Sequence, residues 1–164
     1  MARAATTAVQ LNPDVVAKGT KQSVLTSLMR CAQDGLLPDG KEAALVLFGN
    51  SCTYMPMVGG FRKRAAEHGF TLTAQVVYKN DRFSYEQGIS PTIEHVPAGL
   101  DEEPGEAIGA YAIAKHDTLG TFIDVMRRAE IEQVRSVSRA KNGDLWTKWW
   151  GEAARKTVAR RLFK

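Results

Sequence analysis

The sequence lacks the features that mark secreted and membrane-spanning proteins. It contains only two cysteines among 164 residues. Cys31 and Cys52 lie far apart and belong to no CxxC pattern, which predicts buried thiols in a reducing compartment rather than a disulfide framework. No apolar run approaches the ~20 residues that span a bilayer. The opening MARAATTAVQ has no apolar core of the kind found in signal peptides, so we expect a cytosolic protein.

Motifs of catalysis and nucleotide binding are missing as well. There is no GxxxxGK(S/T) loop for ATP and no GxSxG or Cys/His pairing for acyl transfer. His95, at a strand end, and His116, at a turn, are interpreted as ordinary polar positions. A metal-dependent nuclease needs clustered carboxylates, yet the one Asp/Glu-x-Lys run lies in a Pro/Gly turn at residues 39–41. We therefore predict no enzymatic activity, no metal site and no cofactor, and keep a metal-dependent DNA nuclease as the alternative.

The C-terminal quarter of the chain is strongly basic. Residues 127–164 carry 11 Lys+Arg and four Asp+Glu, a net charge of +7, whereas the remaining 126 residues carry 11 and 14, a net charge of −3. All three tryptophans lie in the last nineteen residues, WTKWWGEAARKTVARRLFK. Aromatic side chains between cations suit a polyanion whose bases are accessible, and single-stranded nucleic acid is the commonest partner of this kind.

The same segment predicts a helix with two different faces. At 100° per residue, one face carries three cations and an indole: Lys156, Arg160, Lys164 and Trp149. A second stripe is apolar and can pack on a core: Trp150, Ala154, Val158 and Leu162. Most helices with Lys and Arg at this spacing are simply solvated, so the spacing alone leaves both interpretations open.

The pattern along the chain predicts a flexible arm at residues 1–19 and one core domain at residues 20–164. Helices are predicted at 21–33, 60–68, 128–139 and 148–163, and short strands at 44–48, 52–55, 72–78, 82–87, 92–95, 108–115 and 121–126. The strands form antiparallel hairpins or a β-meander, with helices flanking them at both ends. The predicted fold class is therefore α+β rather than a parallel α/β sheet.

Several ordered sequence blocks run from about residue 20 to the end of the chain. They are GLLP at 35–38, YMPM at 54–57, GFRKR at 60–64, VVYKNDRFSY at 76–85, IEHVP at 93–97, GAYA at 109–112 and KTVARRLFK at 156–164. Together these blocks resemble the RecT/Redβ family of phage single-strand DNA annealing proteins, specifically its RecT branch. No single block is decisive, but their order and spacing are specific.

The chain also departs from the family pattern. Ala154 stands where the family usually has Met, and Asp144-Leu145 stand where Pro commonly precedes the tryptophan. Relatives usually continue into a C-terminal segment linked to partner-protein contacts, whereas this chain ends at Lys164. The resemblance is therefore to the core domain with a short C-terminus.

The resemblance implies an annealing-core fold and an ATP-independent protein that binds single-stranded DNA and anneals complementary strands in phage-type homologous recombination. It implies a homo-oligomer, a ring or a helical filament, in the cytoplasm of a bacterial or phage-infected cell. The implied partners are single-stranded DNA, the annealed duplex intermediate, a phage exonuclease and a host single-strand-binding protein. Mg²⁺ is expected to assist annealing without a site on the protein. A non-annealing nucleic-acid-binding module is a further alternative.

Phosphate contacts are predicted where the charge pattern and the resemblance agree. Lys156, Arg160 and Arg161 are expected to bind phosphates, with Thr157 as a hydroxyl donor. Arg161 lies near the apolar stripe, so a structural ion pair is its alternative role. Annealing needs a grip on the backbone that leaves base edges free, and lysine and arginine supply it through counterion release.

Other residues are expected to complete the same DNA-binding groove. Arg135, Arg139 and Lys148 are predicted to flank it, and Lys63 is predicted to form its opposite wall. Trp149 is expected to stack on a base or a ribose, with core packing as the alternative.

Overall fold

A computed structural model describes residues 6, 10 and 12–163. These residues fall into two compact units, divided between Arg64 and Ala65. Helices and antiparallel strands occur in both units, which confirms the α+β class. That residues 20–164 form one core domain remains a prediction. None of the helices in the described ranges combines the length and the apolar character that a membrane crossing requires.

The N-terminal unit contains a two-stranded hairpin with a helix packed on it. Its elements are α1 (Pro13–Lys18), α2 (Lys21–Gln33), β1 (Ala43–Phe48), β2 (Ser51–Pro56) and most of α3 (Val58–Glu67). β1 and β2 pair antiparallel, and Gly49 in their turn has a φ of 65°, a left-handed value that glycine adopts without steric cost. The predicted hairpin and the predicted helix 21–33 are confirmed.

Two serines of α2 satisfy backbone groups of β2. The buried hydroxyl of Ser27 donates to the carbonyl of Cys52 at 2.9 Å, and the N–H of Cys52 donates to the Ser23 hydroxyl, also at 2.9 Å. Among the described strands β2 has one partner, so the serine hydroxyls take the place of a further strand.

The flexible arm predicted for residues 1–19 is wrong over residues 13–18, which form α1. Pro13 begins this helix, where its missing N–H costs nothing, and Val15 is fully buried against β1 and β2. A six-residue helix with one buried valine has no periodicity for a sequence pattern to reveal. Residues 1–5, 7–9 and 11 of the predicted arm lie outside the described residues.

The C-terminal unit is built on a three-stranded antiparallel sheet. Its elements are β3 (Thr71–Tyr78), β4 (Arg82–Glu86), β5 (Thr92–Val96), β6 (Ala107–His116), β7 (Gly120–Arg127), α4 (Arg128–Ser136), α5 (Asp144–Thr147) and α6 (Trp150–Leu162). The sheet order is β3-β6-β7, and β4 and β5 pair as a separate hairpin. The strand order departs from a simple meander because this hairpin is inserted between β3 and its neighbour β6.

Helix α6 packs along one face of the β3-β6-β7 sheet. Ala154 and Val158 are fully buried, in one cluster with Val76 of β3, Ala112 of β6 and Met126 of β7. The apolar stripe predicted for the C-terminal helix is thus confirmed as the face that contacts the core.

The two predicted C-terminal helices are shorter in the structure than the sequence pattern predicts. The helix predicted at 128–139 ends at Ser136, and the helix predicted at 148–163 begins at Trp150. The separate turn of helix α5 lies between them. No glycine or proline marks the break between α5 and α6, so the pattern of residue types gives no sign of it.

A buried chain of hydrogen bonds joins the β4–β5 hairpin to the sheet. Asp81 Oδ2 accepts from the Tyr78 N–H at 2.7 Å and lies 3.0 Å from His95 Nε2, while Asp81 Oδ1 accepts from the Ala98 N–H at 2.9 Å. His95 Nδ1 is 3.1 Å from the Tyr111 hydroxyl. The Asp81 and His95 side chains are only 2% and 8% exposed, so the interpretation of His95 as an ordinary polar position is wrong.

Hydrogen bonds outweigh burial in setting the pKa of Asp81. Burial alone would raise the pKa of this carboxyl, but the bonds from Tyr78, Ala98 and His95 hold the pKa below its ordinary value. Such a carboxyl stabilises the fold at pH values above its unfolded pKa of ~3.9, and the contribution is lost as the pH falls through the folded pKa.

We expect Asp81→Asn to lower the free energy of unfolding by about 1–3 kcal/mol at neutral pH, because the amide leaves buried donors without an anionic acceptor. The variant should also lose less stability than the wild type between neutral pH and pH ~3, since the titrating group is gone. Urea unfolding followed by circular dichroism at both pH values measures the two effects. Asp101→Asn, in an exposed loop, is the control, and an unchanged pH dependence for Asp81→Asn would contradict this role.

Candidate nucleic-acid interface

Helix α6 presents a cationic face opposite its buried face. Lys156 and Arg160 are four residues apart within the continuous helix, so their side chains lie on one side, one turn from each other. The fully buried residues Ala154 and Val158 project toward the sheet. The side chains of Lys156 and Arg160 are thus brought together as predicted, while Lys164, the third cation of the predicted face, lies outside the described residues.

The charges of Lys156 and Arg160 are not neutralised by any carboxylate within the part of the chain that the structure describes. Partial desolvation, followed by the nearby charge of Arg160, holds the pKa of the Lys156 ammonium below its ordinary value. Two cations held together without an acidic partner repel each other until an anion binds between or beside them. This pair therefore has the electrostatics of an anion-binding site.

Arg161 is used for structure. Its Nε donates to Asp124 Oδ2 at 2.6 Å, its Nη1 donates to Glu130 Oε1 at 2.9 Å, and its Nη2 donates to the Val125 carbonyl at 2.7 Å. Hydrogen bonds to these carboxylates raise the pKa of Arg161 above its ordinary value. The alternative role of a structural ion pair, foreseen from the sequence, is the one that these contacts favour.

The other predicted contacts near α6 take part in interactions within the protein. The Thr157 hydroxyl donates to the Ala153 carbonyl at 2.7 Å within the helix. Lys148 pairs with Asp144 at 3.1 Å on the surface. Arg135, in the last turn of α4, pairs with Glu132 at 3.3 Å and donates to the Lys141 carbonyl at 2.9 Å. Arg139, which follows α4, is exposed.

Lys63 belongs to the N-terminal unit, in α3. Its ammonium pairs with Glu42 at 3.0 Å and donates to the Gly35 carbonyl at 2.9 Å. Both contacts lie within that unit, so Lys63 has a structural role there. Its place as the opposite wall of a DNA groove stays a prediction.

The three tryptophans occupy different environments. Trp146 is buried, and the half-buried Trp150 donates its indole N–H to Glu132 at 2.7 Å. Trp149 is 62% exposed and is the N-cap residue of α6. Its N–H donates to the Asp144 carbonyl at the end of α5, so it does not belong to the first turn of α6. Trp149 precedes the helix, so helical spacing does not place it on the same face as Lys156. Its exposure leaves the indole accessible for stacking and excludes core packing.

Comparison with known proteins identifies the family of this chain. The model of a protein family described as the RecT family matches residues 1–164. The chain belongs to the RecT family. Protein RecT of Escherichia coli (strain K12) is 34% identical over 176 aligned residues, which cover 100% of this chain. The chain spans 64% of the length of that relative.

Arg128 and Arg155 of this RecT-family chain lie near Trp150 and on α6, and neither was among the predicted site residues. The guanidinium of Arg128 lies over the ring of Trp150, 5.3 Å from its centroid, and donates to the Ala107 carbonyl. Arg155 pairs with Glu152 one turn earlier on α6. An i, i+3 spacing to Glu152 could have indicated the second contact, whereas the first joins elements distant in sequence.

The described residues contain no group of three or more His, Cys, Asp or Glu side chains placed to hold a metal ion.

We expect Arg161→Ala to lower the free energy of unfolding by about 2 kcal/mol, because Asp124, only 17% exposed, loses its bidentate partner. Arg160→Ala, which removes a neighbouring charge without a carboxylate partner, should change stability by less than ~0.5 kcal/mol. Thermal and urea unfolding of both variants measure the difference. Equal stability of the two variants would show that Arg161 is not the structural member of the pair.

Proposed function

We propose that this chain binds single-stranded DNA and anneals complementary strands without ATP. The carrying observation is the pair of cations on the outer face of α6, Lys156 and Arg160, without carboxylate partners among the described side chains. Membership of the RecT family supports the same activity. The exposed indole of Trp149, beside the start of the helix, supplies a flat surface on which a base or ribose can stack.

A backbone grip of this kind suits annealing. Cations that bind phosphates release condensed counterions and hold a strand whatever its sequence. Base edges are then left to pair with a second strand. Because α6 is packed on the sheet, the positions of the two charges stay fixed while strands exchange.

The wider proposal follows the family. The chain acts as a homo-oligomer, a ring or a helical filament, that holds the nascent duplex in the cytoplasm of a bacterial or phage-infected cell. It is not an enzyme and has no cofactor, and Mg²⁺ assists annealing by screening the two strands rather than by binding a protein site. A phage exonuclease and a host single-strand-binding protein are its proposed protein partners.

The double variant Lys156→Ala/Arg160→Ala should bind single-stranded DNA at least about tenfold more weakly at moderate salt. The slope of log affinity against log salt should become shallower by about 1.4, since each phosphate contact on a single strand contributes about 0.7. Fluorescence anisotropy with a labelled oligonucleotide over a salt series measures both quantities. Circular dichroism should remain that of the wild type, because neither side chain is buried.

A matched control removes the same charge elsewhere. Lys21→Ala/Arg30→Ala takes one exposed lysine and one exposed arginine from α2, neither of which has a carboxylate partner among the described residues. If both double variants reduce the affinity and the salt slope equally, binding depends on net charge and the assignment to α6 is wrong.

Annealing is separated from its alternatives by a two-strand assay. The wild-type protein should accelerate duplex formation between complementary oligonucleotides carrying a donor and an acceptor dye, with no ATP present, and the α6 double variant should not. Binding without acceleration would indicate a non-annealing nucleic-acid-binding module. Shortened products from an end-labelled strand incubated with Mg²⁺ would indicate the nuclease instead.

A further inference from the structure

The outer edge of β7 is only partly occupied by the protein itself. β7 has one neighbour among the described strands, β6, so its other edge is open. On that edge the carbonyl of Val125 accepts from Arg161 Nη2 at 2.7 Å, and the N–H of Arg127 donates to Glu130 Oε2 at 2.8 Å. The C-terminal half of the edge is therefore closed by side chains of the same unit.

The N-terminal half of the same edge is bare. In an antiparallel ladder the backbone groups of successive residues point alternately toward and away from the partner strand. Because Val125 and Arg127 point away from β6, Thr121 and Ile123 do so as well. Their N–H and C=O groups have no partner among the described residues. Two donors and two acceptors of the backbone are thus unused.

An apolar groove of about 860 Å³ borders this bare half of β7. Thr121 and Ile123 line it, and none of its described lining residues is charged. Three of its apolar side chains are strongly exposed: Ile89 at 104%, Leu119 at 64% and Phe122 at 48%. Edge strands that stay unpaired are usually protected by lysine, proline or a bulge, and residues 121–123 have none of these. This edge is therefore suited to pairing with another strand.

The occupied groups on either side fix the register in which a second copy of β7 can pair. A twofold axis through Ile123 would pair Thr121 with Val125, whose carbonyl already has a donor. An axis through Thr121 would pair Ile123 with Leu119, whose N–H already has an acceptor. An axis through Phe122 pairs Thr121 of each copy with Ile123 of the other. Only this third register uses all four free groups of both strands.

The same register brings the two copies of Phe122 opposite each other. Phe122 then lies between two hydrogen-bonded pairs, where the Cα atoms of antiparallel strands are ~4.5 Å apart. Aromatic side chains that face each other in this way stabilise strand pairing. Phe122 already contacts Phe70 of its own chain, with ring centroids 6.0 Å apart, so the pairing joins two existing apolar clusters.

We propose that two copies of this chain pair antiparallel through β7, with Thr121 of each copy bonded to Ile123 of the other. The inference rests on the proposed function only in taking the chain to be a homo-oligomer, and it needs no DNA. A helix has its backbone groups bonded internally, so it would fill the groove and leave the edge of β7 unpaired. A strand is therefore the occupant that the edge favours.

The pairing supplies one contact of the proposed homo-oligomer. A twofold contact closes on itself, so it joins copies in pairs, and a ring or filament grows from these pairs through other surfaces. Neither Lys156 nor Arg160 lines the groove, so the two proposed contacts use different residues of the C-terminal unit.

Disulfide trapping tests the register directly. Phe122→Cys places two thiols opposite each other at a separation that a disulfide spans, whereas the native Cys31 and Cys52 are buried. Mild oxidation without DNA should link most of this variant into a dimer on a non-reducing gel. Ile108→Cys is the matched control, because Ile108 is also 48% exposed but does not line the groove. Its thiols meet only by collision and should cross-link at least about tenfold more slowly.

A charge exchange tests the same contact without a covalent bond. Phe122→Glu and Phe122→Lys each place like charges opposite each other and should weaken self-association at least about tenfold. An equal mixture of the two variants pairs opposite charges and should associate more tightly than either variant alone. Both variants lose the contact with Phe70, so the gain in the mixture comes from position 122 of the two copies. Sedimentation velocity without DNA measures the association, and circular dichroism checks the fold.

The outcomes separate this contact from DNA binding. Cross-linking of Phe122→Cys no faster than that of Ile108→Cys would overturn the β7 pairing, and this result decides alone where the charged variants fail to fold. A mixture of folded charged variants that associates no more tightly than either alone would also overturn it and assign the groove to another occupant. Both results leave single-strand binding intact, because neither measurement contains DNA. A trapped dimer that fails to bind single-stranded DNA would overturn the proposed function and leave the pairing in place.

Discussion

The packing of α6 on the β3-β6-β7 sheet is the constraint on which the candidate DNA-binding surface depends. Ala154 is small, so the helix can approach the sheet closely, and Val158 fills the contact. Once this face is buried, residues on the other side of the helix must face outward. The cationic pair is thus positioned by apolar contacts, and the hydrophobic effect that stabilises the unit also holds two like charges together.

Carboxylates near α6 neutralise some cations and leave others free to bind. The segment 127–164 has four acids, and each is paired: Glu130 with Arg161, Glu132 with Arg135, Asp144 with Lys148, and Glu152 with Arg155. None is left for the cationic face. The net charge of the segment is therefore not spread evenly over its surface, and an approaching polyanion meets it where α6 is unpaired. The same uneven distribution explains why most of the predicted flanking cations have structural contacts.

Much of the fold could be predicted from local patterns, and the failures share one cause. Alternation and helical spacing located the β1–β2 hairpin, the strands of the sheet and α2 to within a few residues. The patterns missed α1, which is held by one buried valine, and the break before Trp150, which depends on a backbone hydrogen bond to Asp144. They also missed the role of His95, because its partners Asp81 and Tyr111 lie 14 and 16 residues away in the chain.

The sequence by itself determined the α+β class and the presence of a basic helix with one apolar stripe, because both follow from composition and short-range spacing. It also indicated the family, because its ordered motif blocks resemble those of RecT proteins. Only the tertiary structure decided which cations are available. Lys156, Arg160 and Arg161 are all cations of one helix, and the different role of Arg161 comes from Asp124 and Glu130, which the fold brings to it from 37 and 31 residues away. Charge is a property of the residue, but its neutralisation depends on neighbours that only folding supplies.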